Sequence, residues 1–540
     1  MKRNLKRIVA VALSLSALTV HAQMNPKVKL QKALELIQQN YVDPVEDEPV
    51  VDAAIKAMLA SLDPHSSYMG REEAEAMNQS MSGSFAGIGI QFSMVNDSTF
   101  VTGVNPDGPA ARSGVKLGDQ IISIDEKSIF GKSLKNQEVM QMIRGEKGKA
   151  VALDIKRAGQ SASIKLNVLR EQIAELSINT SYMVDKNIGY ISLAIFSQST
   201  RREMDAAIKN LKAQGMTKLI LDLQGNGGGY VEAAIGVADE FLPKAKEVFY
   251  SVTNSGVHDN YLTGGFGQFM DGNLVLLIDE STASSSEILT GALQDWDRAV
   301  IIGRRSFGKG LMQKGLALPD GSVIRLTGAR YYTPSGRSIQ KPYEKGKTDY
   351  FQDFSRRMAS GELTGAEHFK FPDSLKYRTK INQRMVYGGG GIMPDKFVPI
   401  DTALYSSWMA KTMNSGLTTK IAFDYVQKHR DSLLTTYSEF PAFNNGFSLP
   451  ERLTDLLYTQ ARARKIAMPA QADPALRRSL AVELKAEIAG QLYENRGVEL
   501  QVRNLASRCF TEAVNILIDQ NTYNSLLQNQ EQSTKKTRKK

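Results

Sequence analysis

Apolar residues recur at helical spacing near the start of the chain, at Leu30, Leu34, Leu36 and Ile37, and again at Val51, Ala54, Ile55, Met58 and Leu59. This predicts two helices separated by the break Asp43-Pro44, the second ended by LDPHSSYM at 62–69. From about Ser82 the pattern shortens. AGIGIQFSM, FVTGV, GDQIISID, VALDIKRAG and SIKLNV read as short strands, with a turn at PDGPA and one helical segment, EVMQMIRG. Together they predict a small separate β-rich domain.

Residues 187–303 alternate strand and helix. IGYISLAIF, KLILDL, NLVLLID and AVIIG are nearly continuous apolar runs. Between them lie a helix through Met204, Ile208 and Leu211, one from about Tyr230 to Phe241, and one from about Ser286 to Trp296. Strands separated by helices in this way predict βα units around a buried sheet. GLALPDGSVIRL reads as a hairpin turning at Pro319-Asp320-Gly321. Residues 341–388 are polar and charged and read as a surface insertion. GGGG at 388–391 marks a loop before MPDKFVPID, and from 401 to about 528 the period is helical, with no candidate chemistry.

The first residues set the expected address. Lys2, Arg3, Lys6 and Arg7 precede an apolar run from Ile8 to Val20, and Val20-His21-Ala22 offers a cleavage site. This is the pattern of a signal peptide, an uncleaved anchor being the alternative; the run is shorter than the roughly 20 residues of a spanning helix. No Cys follows it, which disfavours a lipoprotein. The single Cys509 excludes an intramolecular disulfide and reads as a buried small hydrophobe. The net charge of +10 sits mostly at the ends, in that leader and in the tail residues Lys535, Lys536, Arg538, Lys539 and Lys540. The nearly neutral body gives a nucleic-acid partner no support.

GRRSFGKG at 303–310 almost spells a phosphate-binding loop, but Gly310 stands where a Ser or Thr would hold magnesium. NLVLLID runs through a small-residue turn, DESTASSSEI, into a helix, which presents a serine beside free backbone N–H groups. Ser284-x-x-Glu287 is equally the signature of a capping box. DLQGNGGGY at 222–230 is another strand-to-helix junction, where glycines allow either an anion-binding turn or a plain tight turn. Lys309 and Gln313 are four residues apart and can face one site. A lysine made neutral by burial can serve a serine as base, with Gln313 orienting its amine. His65, His258, His368 and His429 are scattered singly, and there is no HExxH, CxxC or GxSxG.

Taken together these segments resemble the carboxyl-terminal processing peptidases, the tail-specific serine proteases of peptidase family S41. The chain's TASSSEI, followed by ALQD and Arg298-Ala299, is similar to the family's serine motif. Phe307-Gly308-Lys309-Gly310-Leu311-Met312-Gln313 is similar to its lysine motif. LDPHSSYM, DLQGNGGG, YYTPSGRSIQ and GGIMPD match as well, in order, over about residues 28–400. Gln224, Gly225 and Gly227 replace the family's Arg, Asn and Pro, and Ser285 replaces an Ala. The family's spacing places the nucleophile at Ser284, twenty-five residues before Lys309.

The resemblance implies a multidomain α/β protein: a ββα-type protease core of the tail-specific protease kind, an inserted PDZ domain, and helical N- and C-terminal regions. The expected divisions are a signal peptide at 1–22, a helical region at 23–80, the PDZ domain at 81–170, the protease core at 171–400, a helical region at 401–530 and a basic tail at 531–540. In the PDZ domain Gly87, Ile88, Gly89 and Ile90 would form the carboxylate-binding loop and EVMQMIRG the groove helix; without the family, GIGI reads as a buried strand. Ser284, Lys309 and Gln313 are the expected catalytic residues, and the backbone N–H groups of Gly228, Gly229 and Ser285 the oxyanion donors. The expected activity is serine endopeptidase, with no metal or cofactor, acting in the periplasm or cell envelope on proteins with exposed or unstructured C-termini. Further expectations are a weak contact of the tail with an anionic membrane surface and a homo-oligomer or adaptor. The rival readings are a non-catalytic PDZ scaffold and a nucleotide-binding ATPase.

Overall fold

The computed structural model describes residues 24–528, apart from 96, 133, 158, 370–371, 404–405, 469–472 and 494–496. The expected signal peptide and basic tail lie outside the described residues. At the centre is a six-stranded sheet in the order Ile178–Met183, Ile188–Leu193, Lys218–Asp222, Asn273–Ile278, Val300–Gly303, Lys396–Phe397. The first pair is antiparallel and the rest are parallel. The apolar runs are continuous because both faces are covered. Leu219 and Leu221 point to one face, against the helices Thr200–Ala213, Val231–Asp239 and Ser285–Asp295. Ile220, between them, points to the other.

What covers that other face lies at the far end of the chain. Cys509, Phe510, Ala513, Ile516 and Leu517 of the helix Arg508–Ile518 pack on Ile188, Tyr190, Ile220 and Val275. Lys218 Nζ donates to the Leu517 carbonyl at 2.6 Å, and Asn273 Nδ2 to Gln520 Oε1 at 2.7 Å. Residues 401–528 are therefore not one helical region. Those up to Val502 form a separate helical body around Leu457, Leu480 and Leu484, whereas 508–527 complete the central sheet. The helical body also touches the β-rich domain, where Phe423 meets Phe100 at 5.0 Å between ring centroids.

A second sheet carries the expected hairpin, Leu311–Ala317 paired with Val323–Tyr332, flanked by Glu247–Thr253 and by the short strand Ser67–Met69. LDPHSSYM thus does more than end a helix: its last residues join this sheet. GRRSFGKG leads into a strand, not the helix a phosphate loop requires, which removes the nucleotide reading. The insertion at 341–388 is more than surface. Tyr350, Arg357 and Leu363 are buried, and Arg357 donates to the carbonyls of Arg305 and Ser306, bracing the segment before Lys309.

In the β-rich domain GIGI is not a continuous strand. Ser84–Gly87 pairs with Glu171–Ala174, Ile90–Val95 pairs with Ser98–Val104, and Gly89 between them has φ +75°. That value favours a glycine. The N–H groups of Ile88 and Gly89 make no hydrogen bond among the described residues. They border a cavity of about 290 Å³ whose walls are Phe85, Ile88, Ile90, Met140, Ile143 and Arg144, the last three from the helix Asn136–Ile143 and its cap.

Candidate active site

The turn that carries Ser284 is built by local hydrogen bonds. Asp279 Oδ1 accepts the N–H groups of Ser281 and Thr282, each at 3.0 Å, and the Thr282 hydroxyl reaches across to the Leu223 carbonyl at 2.9 Å. The chain then enters the helix with Ser284 at φ 58°, ψ −119°. A non-glycine residue in this region costs on the order of 1–3 kcal/mol, so the surroundings must hold it there. Glu287 Oε2 accepts the Ser284 N–H at 2.9 Å, and the Glu287 N–H donates to the Ser284 carbonyl at 2.8 Å. The Ser284 hydroxyl makes no cap hydrogen bond. The cap reading and the nucleophile reading therefore coexist: the helix start is satisfied without the hydroxyl, which stays available.

The glycine turn lies against this serine. A Cβ on Gly228, whose φ is +101°, would sit 2.8 Å from the Ser284 Cβ, and one on Gly229 would strike the Phe196 carbonyl. The two turns are also bonded together, the Ser285 hydroxyl to the Gly229 carbonyl at 2.9 Å and the Ser286 hydroxyl to the Asn226 carbonyl at 3.0 Å. Of the three expected oxyanion donors, Gly228 needs correction. Its N–H donates to Asn226 Oδ1 at 2.9 Å within the turn itself. The N–H groups of Gly229 and Ser285 have no acceptor among the described residues.

Glu287 is what joins the serine turn to the lysine loop. It is fully buried, and its carboxylate collects four donors: the Ser306 hydroxyl at 2.5 Å and the N–H groups of Gly308 at 2.7 Å, Lys309 at 2.9 Å and Ser284 at 2.9 Å. One oxygen, Oε2, thus grips the backbones of both Ser284 and Lys309. Burial pushes the Glu287 carboxyl up, while these hydrogen bonds work to keep it ionised. Tyr331 adds a second tie, its buried hydroxyl 2.5 Å from the Lys309 carbonyl and 3.2 Å from that of Ser284.

The Lys309 amine is lowered from its ordinary value to about 8, first by burial, then by the charge of Arg325, against the pull of Glu287 and Asp63. At pH 7 this leaves roughly a tenth of it neutral, about 300 times more than for an exposed lysine. His65 is lowered to about 4 by burial and then by Lys309, so it is neutral beside the amine. Its ring Nε2 lies 2.9 Å from the Tyr350 hydroxyl. Asp63 shapes its turn by accepting the N–H groups of His65 at 2.8 Å and Ser66 at 2.9 Å.

The Gln313 amide is bonded within its own hairpin. Its Nε2 donates to the Leu311 carbonyl at 3.2 Å and to Thr327 Oγ1 at 3.3 Å, and it makes no hydrogen bond to Lys309 among the described residues. A register shift in the hairpin lies between Met312 and Gln313. Sequence reasoning missed the roles of Glu287, Tyr331, His65 and Asp63, although each lies in a motif noticed for other reasons. Among the described residues no group of three or more His, Cys, Asp or Glu is placed to hold a metal ion.

A small domain with a groove beside a glycine loop, and an α/β core whose serine turn and lysine loop meet, describe a serine peptidase that carries a peptide-binding module. The sequence models agree: peptidase family S41 matches residues 187–347, a PDZ domain matches 86–168, and the N-terminal domain of the activating protease CtpB matches 10–73. A family of unknown function matches 408–494, the separate helical body. The carboxy-terminal-processing protease of Bartonella bacilliformis is 40% identical over 314 residues, 57% of this chain and 70% of that one. The carboxy-terminal processing protease CtpA of Bacillus subtilis is 33% identical over 412 residues, 71% of this chain and 87% of that one. A solved photosystem II D1 C-terminal processing protease is 28% identical, covering 58% of this chain and 90% of its own, at a TM-score of 0.34. The chain belongs to the carboxy-terminal processing proteases of peptidase family S41.

Proposed function

We propose that this PDZ-containing serine protease works as an exported endopeptidase through a Ser284–Lys309 dyad. It selects proteins by their C-terminal tails and acts in envelope protein processing or quality control. The observation that carries the dyad is the pinning of both backbones to one buried carboxylate oxygen, Glu287 Oε2. Neutral Lys309 takes the Ser284 proton and Oγ attacks the peptide carbonyl. The free N–H groups of Gly229 and Ser285 are the donors best placed for the oxyanion. Protonated Lys309 then returns its proton to the leaving amine, and water hydrolyses the acyl-enzyme by the same route. One such donor contributes about 2.7–4 kcal/mol to the barrier. In the PDZ domain the Ile88 and Gly89 N–H groups receive the tail carboxylate, and the apolar cavity beside them receives its last side chain.

Ser284→Ala abolishes cleavage of an unstructured protein with an apolar C-terminus and leaves tail binding intact. Lys309→Ala removes labelling by a serine-directed probe. Undiminished cleavage by Ser284→Ala, or full labelling of Lys309→Ala, rejects the dyad, whereas labelling of the wild type that is lost in Lys309→Ala separates an active protease from a PDZ scaffold. Export is tested separately, by fractionation and N-terminal sequencing of the mature chain, which is expected to start after Ala22.

A further inference from the structure

Buried guanidinium groups elsewhere in the core have partners. Arg304 meets Glu280 at 2.6 Å, Arg337 meets Asp295 at 2.8 Å, and Arg384 meets Asp297 at 2.6 Å and Asp395 at 2.7 Å. Arg325 does not fit this pattern. It is half-buried on the strand Val323–Tyr332, and its guanidinium makes no hydrogen bond or ion pair among the described residues. Burial alone lowers its pKa, with no carboxylate to offset it.

Its place in the hairpin explains why. Arg325 stands opposite Gly315, which has no side chain to offer, and opposite Ser67 on its other side. Two residues on, Thr327 meets the Gln313 amide, so Arg325 and Gln313 share the same face of the hairpin. Ser67, its partner across the sheet, lies two residues from His65, whose Nε2 meets the Tyr350 hydroxyl at 2.9 Å, and that hydroxyl reaches the Gly308 carbonyl at 3.5 Å. Arg325 thus stands on the side of the hairpin toward the lysine loop, where its charge acts on both Lys309 and His65. Asp63, an acidic group of that cluster, has its oxygens occupied by its own turn and by the Ser66 hydroxyl at 2.5 Å. An unpaired cation, partly dehydrated and next to a second cation, is unfavourable for the empty protein. A negative group arriving with the substrate would relieve both costs.

We propose that Arg325 binds a carboxylate of the substrate in the protease cleft, making it a specificity-determining residue separate from the PDZ domain's reading of the tail. The inference rests on the Ser284–Lys309 reading, because it places Arg325 by its neighbourhood to Lys309. The carboxylate comes either from an acidic side chain near the scissile bond or from the free C-terminus of the fragment being released; the chemistry is the same.

The test compares the full chain with its Arg325→Gln variant on two substrate sets. The first is an unfolded carrier protein with one fixed C-terminal tail and Glu or Gln placed in turn at each position flanking the cleaved bond. The second is a short peptide spanning that bond, as free acid and as amide. The PDZ domain is identical in both enzymes, so its contribution cancels in the cycle and the remainder belongs to Arg325. Wild type is expected to favour one acid-bearing form by about tenfold or more in kcat/KM, mostly through KM, and Arg325→Gln to lose that preference. Loss in the first set assigns an acidic side chain, and loss in the second assigns the terminal carboxylate. Arg325→Lys retains the preference, and Arg325→Glu shifts it toward a Lys-bearing substrate. Equal Glu/Gln and acid/amide ratios in wild type and Arg325→Gln overturn the proposal, as does an equal fall in kcat for every substrate. Labelling of Ser284 by a serine-directed probe shows that each variant is folded. Cleavage surviving in Ser284→Ala would reject the dyad instead, whatever the Arg325 ratios.

Discussion

Replacing Glu287 by Gln tests whether one carboxylate assembles the site. The change keeps the size of the side chain but turns one of two acceptor oxygens into an NH₂ donor. Each oxygen now receives two donors: Ser306 and Gly308 on Oε1, Lys309 and Ser284 on Oε2. Whichever way the amide lies, two buried donors lose their acceptor and face another donor. At about 1–3 kcal/mol for each unsatisfied buried group, the cost is roughly 2–6 kcal/mol. Part of it appears as lower stability. If the amide faces Ser284 and Lys309, the rest appears as misplacement of the dyad, where a shift of about 1 Å lowers the rate by about a hundredfold.

The charge makes a second, independent signature. In the proposed mechanism cleavage requires the neutral amine, so kcat/KM is expected to rise with pH through the Lys309 pKa of about 8. Glu287 raises that pKa, and its removal lowers it, moving the rising limb toward lower pH. The assay is kcat/KM against pH on an unstructured substrate, paired with denaturant unfolding. The expected result is a much lower plateau whose rising limb lies at lower pH. A variant with wild-type plateau and unchanged stability refutes the linking role of Glu287. A limb that moves upward refutes the electrostatic assignment.

Gly228→Ala places a Cβ at 2.8 Å from the Ser284 Cβ at a φ that disfavours side chains, so the serine turn is displaced. Cleavage is expected to fall at least tenfold while tail binding is unchanged; wild-type rates would show that the turn has slack. Phe510→Ala removes a ring packed on Tyr190 at 5.6 Å between centroids, beneath the central sheet. It is expected to cost about 3–5 kcal/mol in unfolding free energy, and a change under about 1 kcal/mol would mean that the C-terminal helix does not complete the core.

The strands of the core were legible because Leu219–Leu221 and Val275–Leu277 are unbroken apolar runs, a pattern left by burial on both faces. The helices between them were legible by period, as with Met204, Ile208 and Leu211. The same rule could not say which helix covers which face. Ala513 and Leu517 repeat like residues of any amphipathic helix, and nothing local ties them to strands more than two hundred residues earlier. Tyr350 was hidden because one buried aromatic in a polar stretch leaves no periodic signal. At the site, position 284 was ambiguous for a physical reason: a cap and a nucleophile at a helix start need the same small hydroxyl residue. Only the family resemblance singled out Ser284. Glu287 was visible as the other half of the cap, but its reach to Gly308 and Lys309 depends on how the lysine loop folds back. Gln313 was placed by counting residues, which cannot show that its amide bonds to Leu311 and Thr327 within the hairpin.

The helix Arg508–Ile518 beneath the central sheet also sets a timetable. A chain made from its N-terminus completes the strand Val300–Gly303 about two hundred residues before that helix exists. At ~5–20 residues per second the interval is roughly 10–40 s, during which Ile188, Ile220, Val275 and Ile302 have no cover. The serine turn and the glycine turn both spring from the ends of those strands. The sheet that positions the candidate site therefore lacks the cover of one face until that helix is in place.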